Sequence, residues 1–519
     1  MSRRPRIPSQ RLSLLGAVVA LALPAMAAAQ EEAAAISVKP AWTIKPNVAL
    51  DVTYTDNVNP AGGGTKQSDF ITRVAPGITV DGKSARASGR LDFKWQESFY
   101  ADNSRYDNQQ TSLAATGKLE LVENWMFIDA SGNIAQRPIS AFGTQGIANE
   151  LVNTNRTETS TYRFSPYIQG HMGGYADYEL RYSNTETSAN AGVYAANGGT
   201  TTEAWSLRLS GDTRLAALGW SLNAERQNVA FGVRDTRTSR FYGTLEYRID
   251  PQIKLLVNAG RESDNFNLAQ NQSRSTSGYG IDWAPTERTL LALRQDQRSY
   301  GDSYSINVTH RSALSAWRFT DSRSVSLPSQ QMTQAPLSSA YELLNQQLTS
   351  QYPDPAERAA RTLEQLALLG IQADALVYGN LMSLQAFEQR RQEASVSLTG
   401  ANNTVTFTLQ RSASSRIGNA AGLVDDFTAS SNIRQSGFSG NWAHKLSPHT
   451  ALTFNALNSR SRGDAATQET RLRSYSLSLS TKLGVHTSAT AGLRQTSFDN
   501  TGGTSYDEQA VTGSLVVSF

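Results

Sequence analysis

Apolar and polar residues alternate with a period of two over most of the chain. In the segment 90–96, for example, Leu91, Phe93 and Trp95 alternate with charged or polar residues. Successive side chains of a β-strand point to opposite faces, so this pattern predicts strands with one apolar and one polar face. We identify about 22 such segments, and many have the length of about 9–11 residues or more that a tilted strand needs to cross a bilayer.

The predicted connections alternate between short turns and long polar loops. Turns such as 82–84 and 123–124 are short, whereas loops such as 138–156 are long, and the link at 301–302 breaks this order. Short turns at one end, long loops at the other and an even strand number are typical of a bacterial outer-membrane barrel. A soluble sandwich gives no reason for this order. We therefore predict an all-β transmembrane antiparallel barrel of about 22 strands, fewer if strands within 302–322 merge.

The N-terminus has the pattern of a secretory signal. Arginines precede an apolar run at 12–26, and small residues follow up to Ala29. A membrane-anchor helix is the alternative, but the run is short and contains Pro24. We expect a signal peptide at 1–29 and a mature barrel over 30–519. Loss of the N-terminal arginines takes the formal net charge from +3 to about −1, which leaves no electrostatic basis for nucleic-acid binding.

The last predicted strand has an apolar face that ends in an aromatic residue. That face consists of Val511, Gly513, Leu515, Val517 and Phe519. Such a strand resembles the assembly signal of bacterial outer-membrane barrels, although an ordinary last strand can also end in phenylalanine. We expect the barrel assembly machinery and outer-membrane lipid as partners. A tryptophan girdle at the membrane interface is a second expectation, because these tryptophans lie near short turns: Trp125, Trp220, Trp283 and Trp442.

The segment 322–386 interrupts the strand pattern. Helical spacing of apolar residues predicts helices at 339–350 and 354–370, and a further turn at 373–378. Asp354 is a suitable N-cap for the second helix. We expect this helical insert in an extracellular loop. It either folds into the barrel mouth as a constriction or plug, stands outside as a partner site, or only covers the barrel rim.

The sequence offers no chemistry for catalysis, metal binding or a cofactor. Cysteine is absent, and no catalytic or nucleotide-binding motif is present. All five histidines fall at or beside predicted short turns: His171, His310, His444, His449 and His486. We expect them to be solvated turn residues. The acidic stretches 55–57 and 425–426 contain possible calcium ligands, but their spacing is not specific. We therefore expect a protein that is not an enzyme.

The polar strand faces carry charges of both signs and are the informative part of the sequence. We predict that this face lines a wet lumen, with ion pairs across the wall. A lumen of about 22 strands is too wide for side chains alone to fill, so a plug, loop or channel must occupy it. The predicted lumen residues are Arg90, Asp92, Lys94, Lys118, Glu120, Asp177, Glu179, Arg181, Arg208, Asp212, Arg240, Glu246, Arg248, Arg294, Asp296 and Arg298.

Several stretches are similar to one known family. They are 42–46 with 53–58, 354–358 with 370–371, and 390–395 with 403–407. Together they resemble the outer-membrane protein family associated with the PEP-CTERM/exosortase system of Gram-negative bacteria. The resemblance implies a setting in extracellular polymer production or export, with exopolysaccharide or its export proteins as partners.

Two functions follow as expectations. The first is an outer-membrane channel or export-associated porin for such a polymer. The alternative is a non-conducting scaffold that docks a surface or biosynthesis partner through the helical insert.

Overall fold

The chain forms one closed antiparallel sheet. The computed structural model describes residues 41–60, 66–192, 199–213, 215, 217–231, 234–266, 272–326, 383, 385–417 and 425–519, and the single positions 345, 348, 358 and 362. The strands are β1 (Trp42–Thr55), β2 (Asp69–Lys83), β3 (Ala87–Tyr100), β4 (Asn108–Val122), β5 (Met126–Pro138), β6 (Arg156–Met172), β7 (Ala176–Ala189), β8 (Thr200–Asp212), β9 (Leu218–Phe231), β10 (Arg234–Arg248), β11 (Ile253–Asp264), β12 (Gln272–Thr286), β13 (Thr289–Arg298), β14 (Gly301–Arg311), β15 (Ser315–Ser326), β16 (Phe387–Thr399), β17 (Asn403–Arg416), β18 (Asn432–Lys445), β19 (Thr450–Arg462), β20 (Glu469–Lys482), β21 (Thr487–Asn500) and β22 (Tyr506–Ser518).

Closure is made by the first and last strands. Each strand pairs with the next along the chain, and β1 also pairs with β22, from Asn47 opposite Ser518 to Thr55 opposite Ala510. A closed ring leaves no sheet edge unpaired, which is the condition for spanning a bilayer with strands. The predicted 22-strand all-β barrel is confirmed, and β14 and β15 are separate strands.

The two ends of the barrel differ, as the sequence predicts. The short-turn end holds both termini of the sheet and turns such as 123–125, and the long-loop end holds loops such as 139–155. Two connections at the long-loop end nevertheless span only two residues: β9 ends at Phe231 and β10 begins at Arg234, and β13 ends at Arg298 and β14 begins at Gly301. At the second, Gly301 has φ 128°, which glycine adopts without a steric penalty.

The apolar face of each strand points outward. On β1, Leu50 and Tyr54 are exposed, whereas the alternate positions Thr53 and Thr55 are buried. This arrangement is the inverse of a soluble protein and is that of a lipid-facing barrel. Tryptophans near the short-turn end share this outward phase: Trp42, Trp220, Trp283, Trp317 and Trp442. Trp125, in the turn before β5, is also exposed. They mark the position expected for an interfacial girdle.

The closing strand carries the residues of the predicted assembly signal. Val511 and Leu515 are exposed on its outward face, and Gly513 shares that phase. Val517 lies in the same phase one residue before the strand ends, and the N–H of Phe519 donates to the carbonyl of Pro46 at 2.8 Å. These positions therefore face the surroundings at the seam between β1 and β22.

Two predicted segments fall largely outside the described residues. The signal peptide at 1–29 lies wholly outside them. The helices at 339–350 and 354–370 and the turn at 373–378 do so apart from single positions, so the helical insert is not supported and stays a prediction. Its predicted start was wrong, because β15 continues to Ser326.

Helix is a minor component of the residues that the structure describes. The short elements are a 3-10 turn, Ser104–Tyr106, and helix α1, Asp426–Ala429. Among the described residues, no helix is long and apolar enough to cross a membrane.

Candidate functional site

The predicted lumen residues lie on inward-facing positions of β3, β4, β7, β8, β10 and β13. They alternate with outward apolar residues; Arg240 and Glu246, for example, flank the exposed Phe241 and Leu245. The inner wall of the barrel is thus polar and bears both signs of charge.

Ion pairs within strands, between neighbouring strands and between next-but-one strands compensate much of this charge. Arg181 contacts Asp129 at 2.7 Å and Glu179 at 2.9 Å. Arg298 contacts Glu262 at 2.7 Å, and the carboxylate of Glu262 is buried in the wall. Further pairs join Arg248 to Asp212 at 2.6 Å, Arg294 to Asp282 at 2.7 Å and Arg90 to Asp81 at 3.5 Å. The predicted residues are spread around the wall rather than gathered into one reactive site.

An inward aromatic pair lies beneath two of these cations. Phe127 and Tyr167 stack with centroids 5.1 Å apart. Lys118 Nζ lies 4.7 Å from the Phe127 ring centre, and Arg181 Cζ lies 3.7 Å from that of Tyr167. Cations over aromatic faces are favourable and hold these side chains against the wall. The sequence interpretation omitted the pair, although both rings break the outward phase of the apolar residues.

The loop 139–155, which we call the lumen loop, folds into the barrel. Its carbonyl groups accept hydrogen bonds from inward-facing side chains of several strands. Tyr506 on β22 donates to Gln145 O at 2.6 Å, and Thr470 on β20 donates to Ala141 O at 3.1 Å. Gln110 on β4 donates to Asn149 O at 3.0 Å. Because these donors lie on the inner wall of well-separated strands, the loop lies within the ring of strands.

Apolar contacts also hold the lumen loop. Ile147 packs against Leu472, Phe498 and Tyr506. Ala141 and Phe142 belong to a second cluster with Phe387, Phe427 and Ile433. Leu472, Phe498, Phe387 and Ile433 are apolar residues in the inward phase of their strands, and each is at most 1% exposed. These departures from the alternation are the sequence signal that marks where the loop packs.

Glu150 anchors the lumen loop to the wall through an ionic network. Its carboxylate lies 3.0 Å from Arg494 Nη1 and 3.8 Å from Arg73 Nη1. Arg494 also contacts the fully buried Glu508 at 2.8 Å, and Arg73 contacts Asp51 at 2.9 Å. The Tyr100 hydroxyl donates to the carbonyl of Glu150. Burial alone raises the pKa of Glu150, but Arg494 and Arg73 outweigh it and hold that pKa below its ordinary value.

A second anchor joins the lumen loop to the loop between β17 and β18. Asp426 accepts hydrogen bonds from Ser140 Oγ at 2.6 Å and from the Ala141 N–H at 2.7 Å. Asp425 caps α1 by accepting from the Phe427 N–H at 3.0 Å. Burial raises the pKa of Asp426, and these two hydrogen bonds offset the rise only in part. The acidic pair considered as a calcium site is thus engaged in loop-to-loop contacts.

The histidines do not form a site. His171 contacts Asp177, and His310 lies 2.8 Å from Thr289 Oγ1. His444 lies 2.9 Å from Asn403 Oδ1, while His449 and His486 lie in separate turns. No group of three or more potential metal ligands occurs within the part of the chain that the structure describes.

Comparisons with known proteins agree with a membrane barrel. Residues 40–159 match the family model described as Putative beta-barrel porin 2. Residues 189–324 match a family of unknown function, DUF481. Comparison with curated proteins found no match.

Two solved structures of an iron transporter share the fold at low identity. The FrpB iron transporter of Neisseria meningitidis (F5-1 variant, apoprotein form) is 11% identical, with a TM-score of 0.50 over 93% of this chain and 82% of that one. Its F3-3 variant is 10% identical, with a TM-score of 0.50 and the same coverage of both chains. The siderophore receptor PiuA of Acinetobacter baumannii is 9% identical over 92% of this chain and 82% of its own, with a TM-score of 0.48.

These comparisons define the class of the fold. The chain has the closed-barrel fold that outer-membrane porins and transporters also have. The resemblance to the PEP-CTERM-associated family is not shown by them.

Proposed function

We propose that the protein is a channel of the Gram-negative outer membrane, in which the lumen loop narrows the passage. The supporting observation is the loop itself, held inside a polar barrel by Glu150 between Arg73 and Arg494. A loop fixed in this way sets the width and the charge that a polar solute meets on its path.

We further propose an extracellular polysaccharide as the exported solute. This assignment rests on the resemblance of the stretches 42–46, 53–58, 390–395 and 403–407 to the exosortase-associated family. A wall with interspersed charges of both signs suits an uncharged or weakly charged hydrophilic polymer, because it offers no single-sign barrier. The proposal assigns no catalytic step to the barrel and includes the barrel assembly machinery and polymer-export proteins as partners.

Ion current across a planar bilayer tests the channel proposal. The purified, refolded protein is expected to give discrete steps of conductance, and added polysaccharide fragments are expected to interrupt them. A heat-modifiable gel band provides the control that the barrel is folded. If folded protein gives no current even after replacement of 327–382, between β15 and β16, by a short linker, the channel proposal fails and the non-conducting scaffold replaces it.

Membrane orientation has a separate test. An epitope inserted at Gly63, between β1 and β2, is expected to be reachable by antibody on intact cells. An epitope at Asn403, where β17 begins at the short-turn end, is expected to need permeabilised cells. We propose that the long-loop end of the barrel, which carries the lumen loop, faces the outside of the cell, and the reverse labelling pattern would contradict this orientation.

A further inference from the structure

Arginines gather on the outward face of four consecutive strands, β17–β20. We call this group the arginine patch: Arg411, Arg434, Arg460, Arg462, Arg471 and Arg473. Each lies in the phase of an exposed apolar residue on the same strand, such as Leu409, Phe438 or Tyr475. The patch therefore belongs to the outer surface of the barrel and not to its lumen.

The strand register brings like charges together within the patch. Arg434 lies directly opposite Arg462, and Arg460 lies directly opposite Arg471. Like charges in directly opposite positions destabilise a sheet. Folding alone thus gives no reason for this arrangement.

Carboxylates compensate the patch incompletely. Glu469 is shared by Arg460 at 2.6 Å, Arg462 at 2.8 Å and Arg471 at 4.0 Å. Arg473 approaches Asp499 only to 3.8 Å. Arg411 and Arg434 form no ion pair with any residue in the described ranges, and Arg460 Nε has no hydrogen-bond partner there. The patch retains positive charge that an external anion can neutralise.

The height of the patch points to the kind of anion. Its members lie about 8–12 residues along their strands from the short-turn end, whereas about 9–11 residues cross the hydrocarbon core. Exposed Leu409 and Tyr475 lie just below them, towards the short-turn end. The guanidinium groups therefore lie at the level of the lipid headgroups. The apolar surface next to them, towards the short-turn end, can contact acyl chains.

Three strands outside the patch have the contrary charge at the same height. Outward positions there carry Glu97 on β3, Glu186 on β7 and Glu203 on β8, and these strands have no outward arginine or lysine. Outward arginines at a similar height also occur elsewhere, for example Arg226 on β9 and Arg261 on β11, but neither lies directly opposite another arginine.

We propose that the arginine patch binds the phosphate groups of an anionic outer-leaflet lipid, whose acyl chains lie along the apolar surface beneath it. Arginine pairs with phosphate through two parallel N–H donors, and one phosphate can bridge two facing guanidinium groups. Continuity with the lipid-facing surface favours a lipid over a free anion. This binding is additional to conduction and does not depend on it.

Lipid binding by matched variants tests the proposal. The full-length barrel, in a neutral detergent, is titrated with diphosphorylated lipid A and with the same lipid lacking phosphate. The patch variant is R434Q/R460Q, and the control is R226Q/R261Q, which removes outward arginines of β9 and β11 at a similar height. A heat-modifiable band shows that each variant is folded.

We expect wild type and control to bind diphosphorylated lipid A with similar affinity and the patch variant to bind at least about tenfold more weakly. Binding to wild type is also expected to weaken as salt rises. Three results would each overturn the proposal. The patch variant could bind diphosphorylated lipid A as tightly as wild type does, wild type could bind the lipid without phosphate equally tightly, or inorganic phosphate could displace the lipid fully. A current unchanged in the patch variant would leave the channel function standing, so the two proposals fail separately.

Discussion

The two faces of the barrel wall near the long-loop end use arginine in opposite ways. On the inner face, Arg494 has a 13% exposed side chain and contacts both Glu150 and Glu508. On the outer face, Arg434 lies opposite Arg462 and has no ion-pair partner among the described residues. The inner charges are compensated by the fold and hold the lumen loop, whereas the outer charges are left for the surroundings. Changes on the inner face should therefore alter the loop and the current, and changes on the outer face should not.

The largest effect is expected from Arg494→Gln. This substitution leaves Glu150 and the buried Glu508 without their shared cation, and breaking a buried ion pair costs about 3–5 kcal/mol. We expect the lumen loop to leave the wall, seen as faster protease cleavage within 139–155 and a higher channel conductance. Arg494→Lys, which keeps the charge, is the control. Its rate of cleavage and its conductance should lie between those of the wild type and those of Arg494→Gln. If the lumen loop of Arg494→Gln resists protease as well as that of the wild type, the inner-face arginine does not hold the loop.

Glu150→Gln should have a smaller effect. Arg73 and Arg494 keep Asp51 and Glu508 as partners, so the loss is that of charged hydrogen bonds, about 1.5–3 kcal/mol. That loss corresponds to an increase of about tenfold to a hundredfold in the equilibrium ratio of released to bound loop. The ratio is measured from the open-state and closed-state dwell times in single-channel records. The double variant E150Q/R494Q should be less disturbed than the sum of the single changes, because both act on one network. Additive effects would show that the two residues act independently.

Acid pH should reproduce part of this release in the wild type. Because the pKa of Glu150 is lowered in the fold, its carboxylate stabilises the bound loop above the ordinary carboxyl range. That stabilisation is lost as pH falls through the lowered pKa. The pKa of Asp426 is raised, so protonation relieves its burial and works in the opposite direction at the other anchor. Conductance should rise at acid pH in wild type and in Asp426→Asn but change little in Glu150→Gln; an identical pH profile in all three would contradict these roles.

The smallest effect on the barrel itself is expected from Arg434→Gln on the outer face. An exposed arginine without a carboxylate contributes within about 1 kcal/mol to stability, and removing it relieves repulsion with Arg462. Thermal stability and conductance in phosphate-free detergent should stay at the wild-type values. If Arg434→Gln loses as much stability as Arg494→Gln, the outer-face arginine is structural too, and the inner and outer arginines do not differ in role.

The regular part of this fold was predictable, because it depends on local periodicity. Strand number, order and the inward phase of residues such as Arg240 and Asp296 all follow from alternation and turn spacing. The start of the interruption was placed at Ser322 instead of after Ser326, because the residues between them carry little contrast between polar and apolar.

The lumen loop was not predictable in the same way. It has no periodic pattern, and Glu150 meets Arg494 only because closure of the ring brings β21 and β22 beside β1 and β2. Inward apolar residues such as Leu472 and Phe498 indicate that something packs inside the barrel without identifying the segment. The arginine patch likewise depends on register, since Arg434 and Arg462 become neighbours only when β18 and β19 pair.

Single-channel conductance with and without the lumen loop tests the account most directly. In the variant, residues 141–151 are replaced by a short glycine–serine linker between β5 and β6, and the heat-modifiable band confirms folding. The account predicts that the wild-type barrel conducts and that the variant conducts with a clearly larger unit step. The same unit step in both proteins, or no current through either folded barrel, would contradict it.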